Sequence, residues 1–333
     1  MKICVLQPSY EGTSIDYQYY DPPRNLGPLA PGHEVHHAFL KKATTFDQID
    51  ELRKQNFDVY VNLCEGYVNW DVPSIDVIEA LEYFNLAYTG PTVELYDPPK
   101  DLMKMVACAQ SVKAPAFALV ASERHIERAI ENLRFPLFVK PRAAGDSLGI
   151  DRDSLVHSIA ELERKVRAVV REFNAALIEE YIAGREFTVL VAANPDDLND
   201  PIVFKPIEFI FPEGELFKTY DLKVRQYHPE CNVPCDDCEL AARLKDVARS
   251  IFVGFSGVGY ARCDTRVAEN GEIYFLEVNF TCSVFYREGW QGSADYILAH
   301  DGIGQAGFLK HIINEAIARH KRKQSLIASP ARV

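Results

Sequence analysis

Apolar and polar positions follow two rhythms along this chain, and the changes of rhythm divide it into three stretches. Short apolar runs at residues 3–6, 59–63 and 86–89 read as strands. Between the last two, Ile75, Ile78 and Leu81 fall on one face of a predicted helix over 74–83. These elements make an N-terminal βαβ-type unit that ends near Gly90-Pro91. A helix over 100–110, a strand at 137–140, a helix over 158–173 and a strand at 176–180 form the second stretch. The third holds strand-like runs at 187–192, 202–210 and 258–267. A helix over 239–255, striped by Leu240, Leu244, Val247 and Ile251, separates the last two runs. A final helix covers 305–320, and the mixture of basic residues with Ser, Pro and Ala over 320–333 predicts a loosely ordered tail. The alternation of strand and helix predicts an α/β protein without internal repeats.

Composition narrows this picture only a little. The 333 residues allow two or three compact units, and 47% hydrophobic with 25% charged residues makes a packed core feasible. No apolar run reaches the roughly 18 residues of a membrane span, and Lys2 opens a short strand-like run rather than a signal peptide. A cytoplasmic protein with no membrane partner is the expectation. The formal net charge of −12 argues against a general nucleic-acid binder. A nucleotide ligand stays open, because a local basic pocket can sit in an acidic protein. Of eight cysteines, only Cys231, Cys235 and Cys238 cluster. Their C-x3-C-x2-C spacing is that of a radical iron–sulfur cluster, which needs a fourth ligand or cofactor. Free thiols of a reducing compartment are the simpler reading.

The most informative segment is residues 257–279, GVGYARCDTRVAENGEIYFLEVN. Asn270-Gly271 signals a two-residue hairpin turn between apolar runs. A symmetric turn there sets Asp264 opposite Glu277 and Arg262 opposite Asn279. Facing carboxylates destabilise a ladder unless something offsets their repulsion. Solvent, protonation of one carboxyl, or a shared cation would each do so, and the oxygen-donor set of Asp, Glu and Asn suits Mg²⁺.

Further upstream, the apolar strand carrying Lys140 runs into a small-residue loop, K-P-R-A-A-G-D-S-L-G, containing Ser147. A buried ammonium there needs an anionic partner, and the loop lets backbone N–H groups approach phosphate oxygens. It matches neither G-x4-G-K-[ST] nor G-x-G-x-x-G. The following stretch, L-I-E-E-Y-I-A-G-R-E-F-T, carries Glu179, Glu180 and Glu186 on two strands joined through Ala183-Gly184. Each feature alone is as well explained by solvated charges near turns.

Their order is specific. Lys100, Lys140 with its glycine loop, E-E-Y-I-A-G-R-E-F-T, R-C-D and L-E-V-N together strongly resemble the ATP-grasp superfamily, and within it the D-alanine–D-alanine ligases, over about residues 59–279. The resemblance implies an α/β ATP-grasp fold. An N-terminal βαβ (pre-ATP-grasp) domain over 1–95 would precede two α+β subdomains clamping ATP, a lid over 96–180 and a catalytic subdomain over 181–325, before a disordered tail at 326–333. It also implies an ATP-dependent ligase joining a carboxylate to an amine through an acyl phosphate. Lys100 and Lys140 match the lysines that contact ATP phosphates. Glu179 matches the acidic residue near the adenine amine, with Glu180 beside it, and Tyr181 and Ile182 match the linker whose backbone reads adenine. Glu186 matches the ribose ligand. Asp264, Glu277 and Asn279 match the ligands of two Mg²⁺ ions, with Mn²⁺ as an alternative, and Glu277 bridging. Arg262 matches the arginine that stabilises charge on the reacting acyl group. Ser147 matches a serine that helps place the first substrate, and Lys223 the lysine of a mobile loop that closes over ATP. A homodimer is expected by analogy alone.

Three departures bear on the substrate. After Asn279 the family has a short Pro-Gly segment, whereas this chain reads F-T-C-S-V-F-Y-R-E-G-W. Tyr286, Arg287 and Trp290 are pocket candidates there, and Ser293 is the candidate for a carboxylate-binding serine. The N-terminal loop lacks the family's acidic pattern for gripping an amine, so either Glu11 serves there or no residue does. The family's H-G-x-x-G-E-D-G stretch is here N-L-C-E-G, residues 62–66. An acid or amine other than D-alanine is therefore expected. A non-amino-acid carboxylate, or a catalytically silent nucleotide-binding module, remain the alternatives.

Overall fold

The computed structural model describes residues 1–13, 15, 21–145, 147–220, 222 and 229–328. Each of the three stretches carries one sheet. In the first, β1 (Lys2–Pro8) lies between β2 (Glu34–Leu40) and β3 (Val59–Asn62), all parallel. β1 and β3 carry runs of consecutive apolar residues, 3–6 and 59–61, because both faces are covered: α1 (Thr45–Arg53) and α2 (Ile75–Tyr83) share a core with Cys4, Leu6 and Tyr60. Ile3, Val5, Val59 and Val61 instead pack with the C-terminal helix. β2 escapes a pattern reading because EVHHAFL is an edge strand buried only at Leu40. The expected strand at 86–89 is reduced to a single bridge between Tyr60 and Tyr88, ended by Gly90 at φ +94°.

α3 (Lys100–Ala109) opens the second stretch, followed by β4 (Phe117–Val120), α4 (Ile126–Ala129), β5 (Leu137–Pro141), β6 (Leu155–Val156), α5 (Ile159–Phe173) and β7 (Ala176–Glu180). The sheet runs β4-β7-β5-β6 and is antiparallel. Ser158 caps α5 by accepting the Glu161 N–H, and Asn174 ends it in the left-handed region. Leu162, Val166 and Val169 cover the sheet. α3 packs elsewhere: Met103 and Ala107 are buried in the core of the third stretch.

The third sheet runs β11-β10-β8-β12-β13, with β9 paired to the end of β8. Its strands are β8 (Gly184–Ala192), β9 (Ile202–Val203), β10 (Ile207–Phe209), β11 (Asn232–Pro234), β12 (Tyr260–Ala268) and β13 (Ile273–Asn279). The run expected over 202–210 is split because Pro206 has no N–H to give to a ladder. α6 (Cys238–Gly254), capped by Asp237, buries Leu240, Leu244 and Ile251 against this sheet. α7 (Ser293–Asp301) and α8 (Gly304–Ala328) close the other side.

The tail departs from expectation. α8 continues through the basic residues to Ala328, because Arg319 donates to Tyr88 O (2.6 Å) and Arg322 to Pro195 O (2.9 Å). Residues 329–333 lie outside the described part. No described helix is long and apolar enough to cross a membrane.

Candidate active site

A cavity of about 540 Å³ opens between the second and third sheets, lined by both and by loops of the first stretch. Its floor is the hairpin β12–β13. Asp264 does face Glu277, and Arg262 faces Asn279, but the route differs from the expected two-residue turn. Glu269, Asn270 and Gly271 form a three-residue connection, with Gly271 at φ +78° and the Ala268 N–H donating to Glu272 O at 2.9 Å. Pairing nearer the tip is thus offset by one residue, and a bulge beyond Asp264 leaves Leu276 without a partner strand residue. Thr188 of β8 donates to Asp264 Oδ1 at 2.8 Å, and the Arg262 guanidinium lies 3.5 Å from the same oxygen. The Asn279 amide stands 3.5 Å from both Asp264 Oδ2 and Glu277 Oε1. Turning that amide presents Oδ1 in place of Nδ2. The three side chains then offer convergent oxygens at one point, which is the donor set of a hard divalent cation. Of the two facing carboxylates, Asp264 is only 8% exposed, while the Glu277 side chain is 27% exposed and both line the cavity.

At the neighbouring wall, Lys140 of β5 and Lys104 of α3 both contact Glu179, at 3.0 Å each, and all three are buried. Burial alone would raise the Glu179 carboxyl, but the two lysines outweigh it and hold it below the usual range. Burial also pushes the Lys104 ammonium down to about 8, Glu179 resisting and Lys140 assisting. Lys104 donates to Leu276 O at 2.8 Å, the carbonyl of the bulged residue. Glu179 is therefore a counter-ion held between two lysines in the cavity wall, beside Tyr181 and Ile182. Lys100 is held between Ala144 O (2.6 Å) and Glu277 Oε2 (3.7 Å), behind the cavity surface rather than on it.

Phe138, Tyr181, Ile182 and Phe217 give the cavity an apolar end. Glu180 lines it and accepts the Arg134 N–H. Glu186 sits close by, but both of its oxygens are engaged, by Lys218 at 3.0 Å and Arg266 at 3.1 Å. Arg266 also donates to the Tyr181 hydroxyl (2.7 Å), Ile182 O (3.0 Å) and Leu216 O (2.6 Å). It therefore ties the linker to the hairpin. Gly184 permits this close approach, since a Cβ there would meet Val267 O at 2.1 Å. Ser147 lines the cavity at φ +57°. Lys223 lies outside the described residues.

The segment after Asn279 folds against the opposite end. Phe280, Val284 and Phe285 enter the core, and Tyr286, Trp290 and Ser293 line the cavity. Arg287 does not: Tyr286 turns inward and the next side chain is left exposed, at the start of a turn closed by Trp290 N donating to Arg287 O. Glu11 is likewise exposed and paired to Lys41 at 2.8 Å, away from the cavity. Asp295 pins the segment. Its Oδ1 accepts from Phe285 N (2.8 Å) and Gln305 (2.8 Å), and its Oδ2 from Gly292 N (3.1 Å). Burial pushes this carboxyl up to about 6, against those hydrogen bonds.

A pH dependence follows. Between the unfolded value near 3.8 and the native value near 6, the folded state holds more protons than the unfolded one. Stability is therefore lost as pH rises through that window. Relative to Asp295→Asn, the wild type should lose about 2.4 kcal/mol between pH 4 and 7. Urea titrations at stepped pH read this difference, and a flat one would show that Asp295 does not titrate there.

All eight cysteines are free, with Cys231 and Cys235 buried and Cys238 exposed. Among the described residues no cluster of three or more His, Cys, Asp or Glu could hold a metal. Several residues here carry no obvious sequence signal. Lys104 reads as a solvated helix lysine, although it shares the apolar face of Met103 and Ala107. Arg266 repeats the two-residue spacing of Arg262 and Asp264 and was legible on that ground. Lys218 and Thr188 reach the site only through sheet pairing and the loop before it.

Residues 110–288 match the family described as D-ala D-ala ligase C-terminus. A D-alanine–D-alanine ligase of Lactococcus lactis subsp. cremoris is 31% identical over 206 residues, 60% of this chain and 57% of that protein. The chain thus spans somewhat more than half the length of the first curated relatives it matches. Among solved structures, the D-alanine-D-alanine ligase from Coxiella burnetii superposes with a TM-score of 0.72 at 18% identity, covering 98% of each chain. That of Bacillus anthracis complexed with ATP gives 0.69 at 18%, covering 97% of this chain and 99% of its own. The fold is that of the ATP-grasp ligases, and with more than half of its length matching the family, this chain belongs to the D-alanine–D-alanine ligase family.

Proposed function

We propose that the protein is an ATP- and magnesium-dependent ligase that forms an amide bond between a carboxylate, itself part of an amino acid, and an amine through an acyl phosphate. One observation carries this: Asp264, Glu277 and Asn279 converge on the floor of a cavity that also presents Lys140 and Glu186. A carboxylate is a poor electrophile, and moving the γ-phosphoryl group onto it makes amine attack feasible. Magnesium bound by the three side chains, with Glu277 shared between two ions, would neutralise phosphate charge; Mn²⁺ suits the same oxygens. Lys140 and Lys100 position phosphate oxygens, and the linker with Glu179, Glu180, Tyr181 and Ile182 frames the base. Glu186 would meet the ribose once Lys218 releases it. Arg262 stabilises the oxyanion formed on attack, a role worth roughly 10²–10³ in rate. Ser147 helps place the first substrate, and the loop carrying Lys223 excludes water, which hydrolyses acyl phosphates. The cavity wall formed by Tyr286, Trp290 and Ser293 supports a substrate pair other than two D-alanines. Cytoplasmic location and homodimer formation complete the reading by analogy.

The test is ADP release over panels of amino acids, small carboxylates and amines, with and without Mg²⁺. Release should require Mg²⁺ and at least one amino acid. ATP binding without stimulation by any pair would make the protein a nucleotide-binding module. Efficient D-alanyl-D-alanine synthesis from D-alanine alone would overturn the altered specificity.

A further inference from the structure

The loop after β3, where the chain departs from the family's H-G-x-x-G-E-D-G pattern, is built as a stiff arch. Gly66 lies so close to the returning chain that a Cβ there would meet Pro73 O at 2.6 Å, and its N–H donates to that oxygen at 3.1 Å. The Tyr96 hydroxyl donates to Gly66 O at 2.6 Å. The Lys42 ammonium ties Val68 O (2.7 Å), Trp70 O (2.8 Å) and the Ser74 hydroxyl (3.2 Å) together. Tyr67 stands at the crest of this arch. The Trp70 ring meets it edge-on at 6.1 Å, and Trp70 N donates to its carbonyl at 2.9 Å. With Val68, Tyr67 lines the cavity.

The Tyr67 hydroxyl reaches out of the first stretch and donates to Ala143 O at 3.0 Å, on the segment that carries β5 into the Ser147 loop. Its neighbours on that segment are held from α3. Arg142 O accepts the Lys100 N–H at 3.1 Å, the Arg142 guanidinium grips Asp101 at 2.8 and 3.0 Å, and Ala144 O accepts the Lys100 ammonium at 2.6 Å. Three successive carbonyls thus each have a donor, and the middle donor comes from another part of the chain. Further along, Lys165 donates to Gly149 O at 3.0 Å. The loop is therefore fixed at both ends, and its residues Gly145 and Ser147 line the cavity. A loop that presents backbone N–H groups to phosphate oxygens binds more tightly when its order is set before the ligand arrives.

We propose that Tyr67 is a positioning residue for the nucleotide: its hydroxyl straps the Ser147 loop to the first stretch and so pre-sets that loop for the phosphates of ATP. The proposal rests on the ligase reading and adds a residue to it. Arg142 and Lys100 hold the segment from the α3 side, whereas Tyr67 holds it from the first stretch and couples that stretch to the loop. A strap of this kind lowers the ordering cost of binding for ground state and transition state alike. Its loss therefore shows in KM for ATP and not in kcat.

The experiment compares wild type with Tyr67→Phe, which removes only the hydroxyl, and Tyr67→Ala, which removes the ring as well. Calorimetry with Mg²⁺ and the β,γ-methylene analogue of ATP gives Kd, and ADP release gives KM for ATP and kcat. Tyr67→Phe should raise Kd and KM by about threefold to tenfold, the worth of one hydrogen bond, with kcat within about twofold of wild type. Most of the loss in Tyr67→Ala should already be present in Tyr67→Phe. Wild-type Kd and KM in Tyr67→Phe, whatever Tyr67→Ala does, would overturn the strap and leave the ring as cavity lining. A fall in kcat at unchanged KM would overturn it too, since the hydroxyl would then act on the chemical step. If no acid and amine stimulate ADP release, the ligase reading fails, and calorimetry still decides for Tyr67. An analogue Kd unmoved by Tyr67→Phe, or no binding of the analogue at all, overturns the proposal.

Discussion

Glu277→Gln should lower kcat by at least about 10³-fold while moving Tm by no more than about 2 °C. The two effects separate because of where the side chain sits. Its carboxylate is 27% exposed and stands opposite Asp264 across the hairpin, so without a cation its charge is a burden on the ladder. Amide replacement relieves that repulsion and keeps the side chain's shape, while giving up the 3.7 Å pairing with Lys100, so the two changes largely offset in the unliganded fold. In the liganded state the same change removes the negative oxygen that the shared-ion arrangement needs. Thermal melts with ATP, with and without Mg²⁺, provide a second reading: the Mg²⁺-dependent part of the stabilisation should vanish in the variant. Wild-type turnover in Glu277→Gln would sink the metal assignment.

Glu179→Ala should behave in the opposite way, costing about 3–5 kcal/mol of stability before any effect on catalysis is considered. Glu179 is the carboxylate between two buried ammonium groups, and its removal leaves Lys104 and Lys140 facing each other without it. The pH dependence distinguishes this cause from a simple cavity. Lys104 already titrates near 8 in the folded protein, well below a lysine in an unfolded chain. Above that pH the unfolded state holds more protons than the folded state, so stability rises with pH. Without Glu179 the native Lys104 value falls further, so the variant should recover part of its deficit as pH rises from about 6 to about 8, and run parallel to the wild type above that. Urea titrations at both ends of that range check it. A deficit that stays constant would mean lost packing rather than unpaired charge.

The facing pair Asp264 and Glu277 was legible because strand alternation and a turn signal are local rules, and both survive a small error in the turn. The expected two-residue turn is a three-residue one, yet the pairing at the site holds because Leu276 is extra on one side. The lysine at the end of β5 and the glutamates flanking Gly184 were visible as charges in apolar runs. What stayed hidden depends on contacts between distant segments. Lys104 acquires its meaning from Glu179, 75 positions later, and Tyr67 from Ala143. Arg24 closes the loops after β3 and β13 from yet another part of the chain. Arg287 was misplaced for a related reason: the segment after Asn279 has no strand or helix period, so nothing in it says which side chain turns inward. β2 was missed because an exposed edge strand needs few apolar residues.

The bulge at Leu276 has a consequence for how one strand serves two kinds of ligand surface. A regular strand delivers a side chain to a given face only about every 6.8 Å. Here Leu276 and Glu277, consecutive residues, both line the cavity. A greasy contact and an ionic one therefore sit side by side, on the scale at which a nucleoside gives way to its phosphates. The same irregularity turns a main-chain oxygen towards the Lys104 ammonium, so the helix below is anchored to the point where the floor changes character. A hairpin optimised for ladder regularity alone would omit Leu276, and with it both the adjacency and the anchor. In this protein an imperfection of pairing acts as the joint between recognition and reactivity.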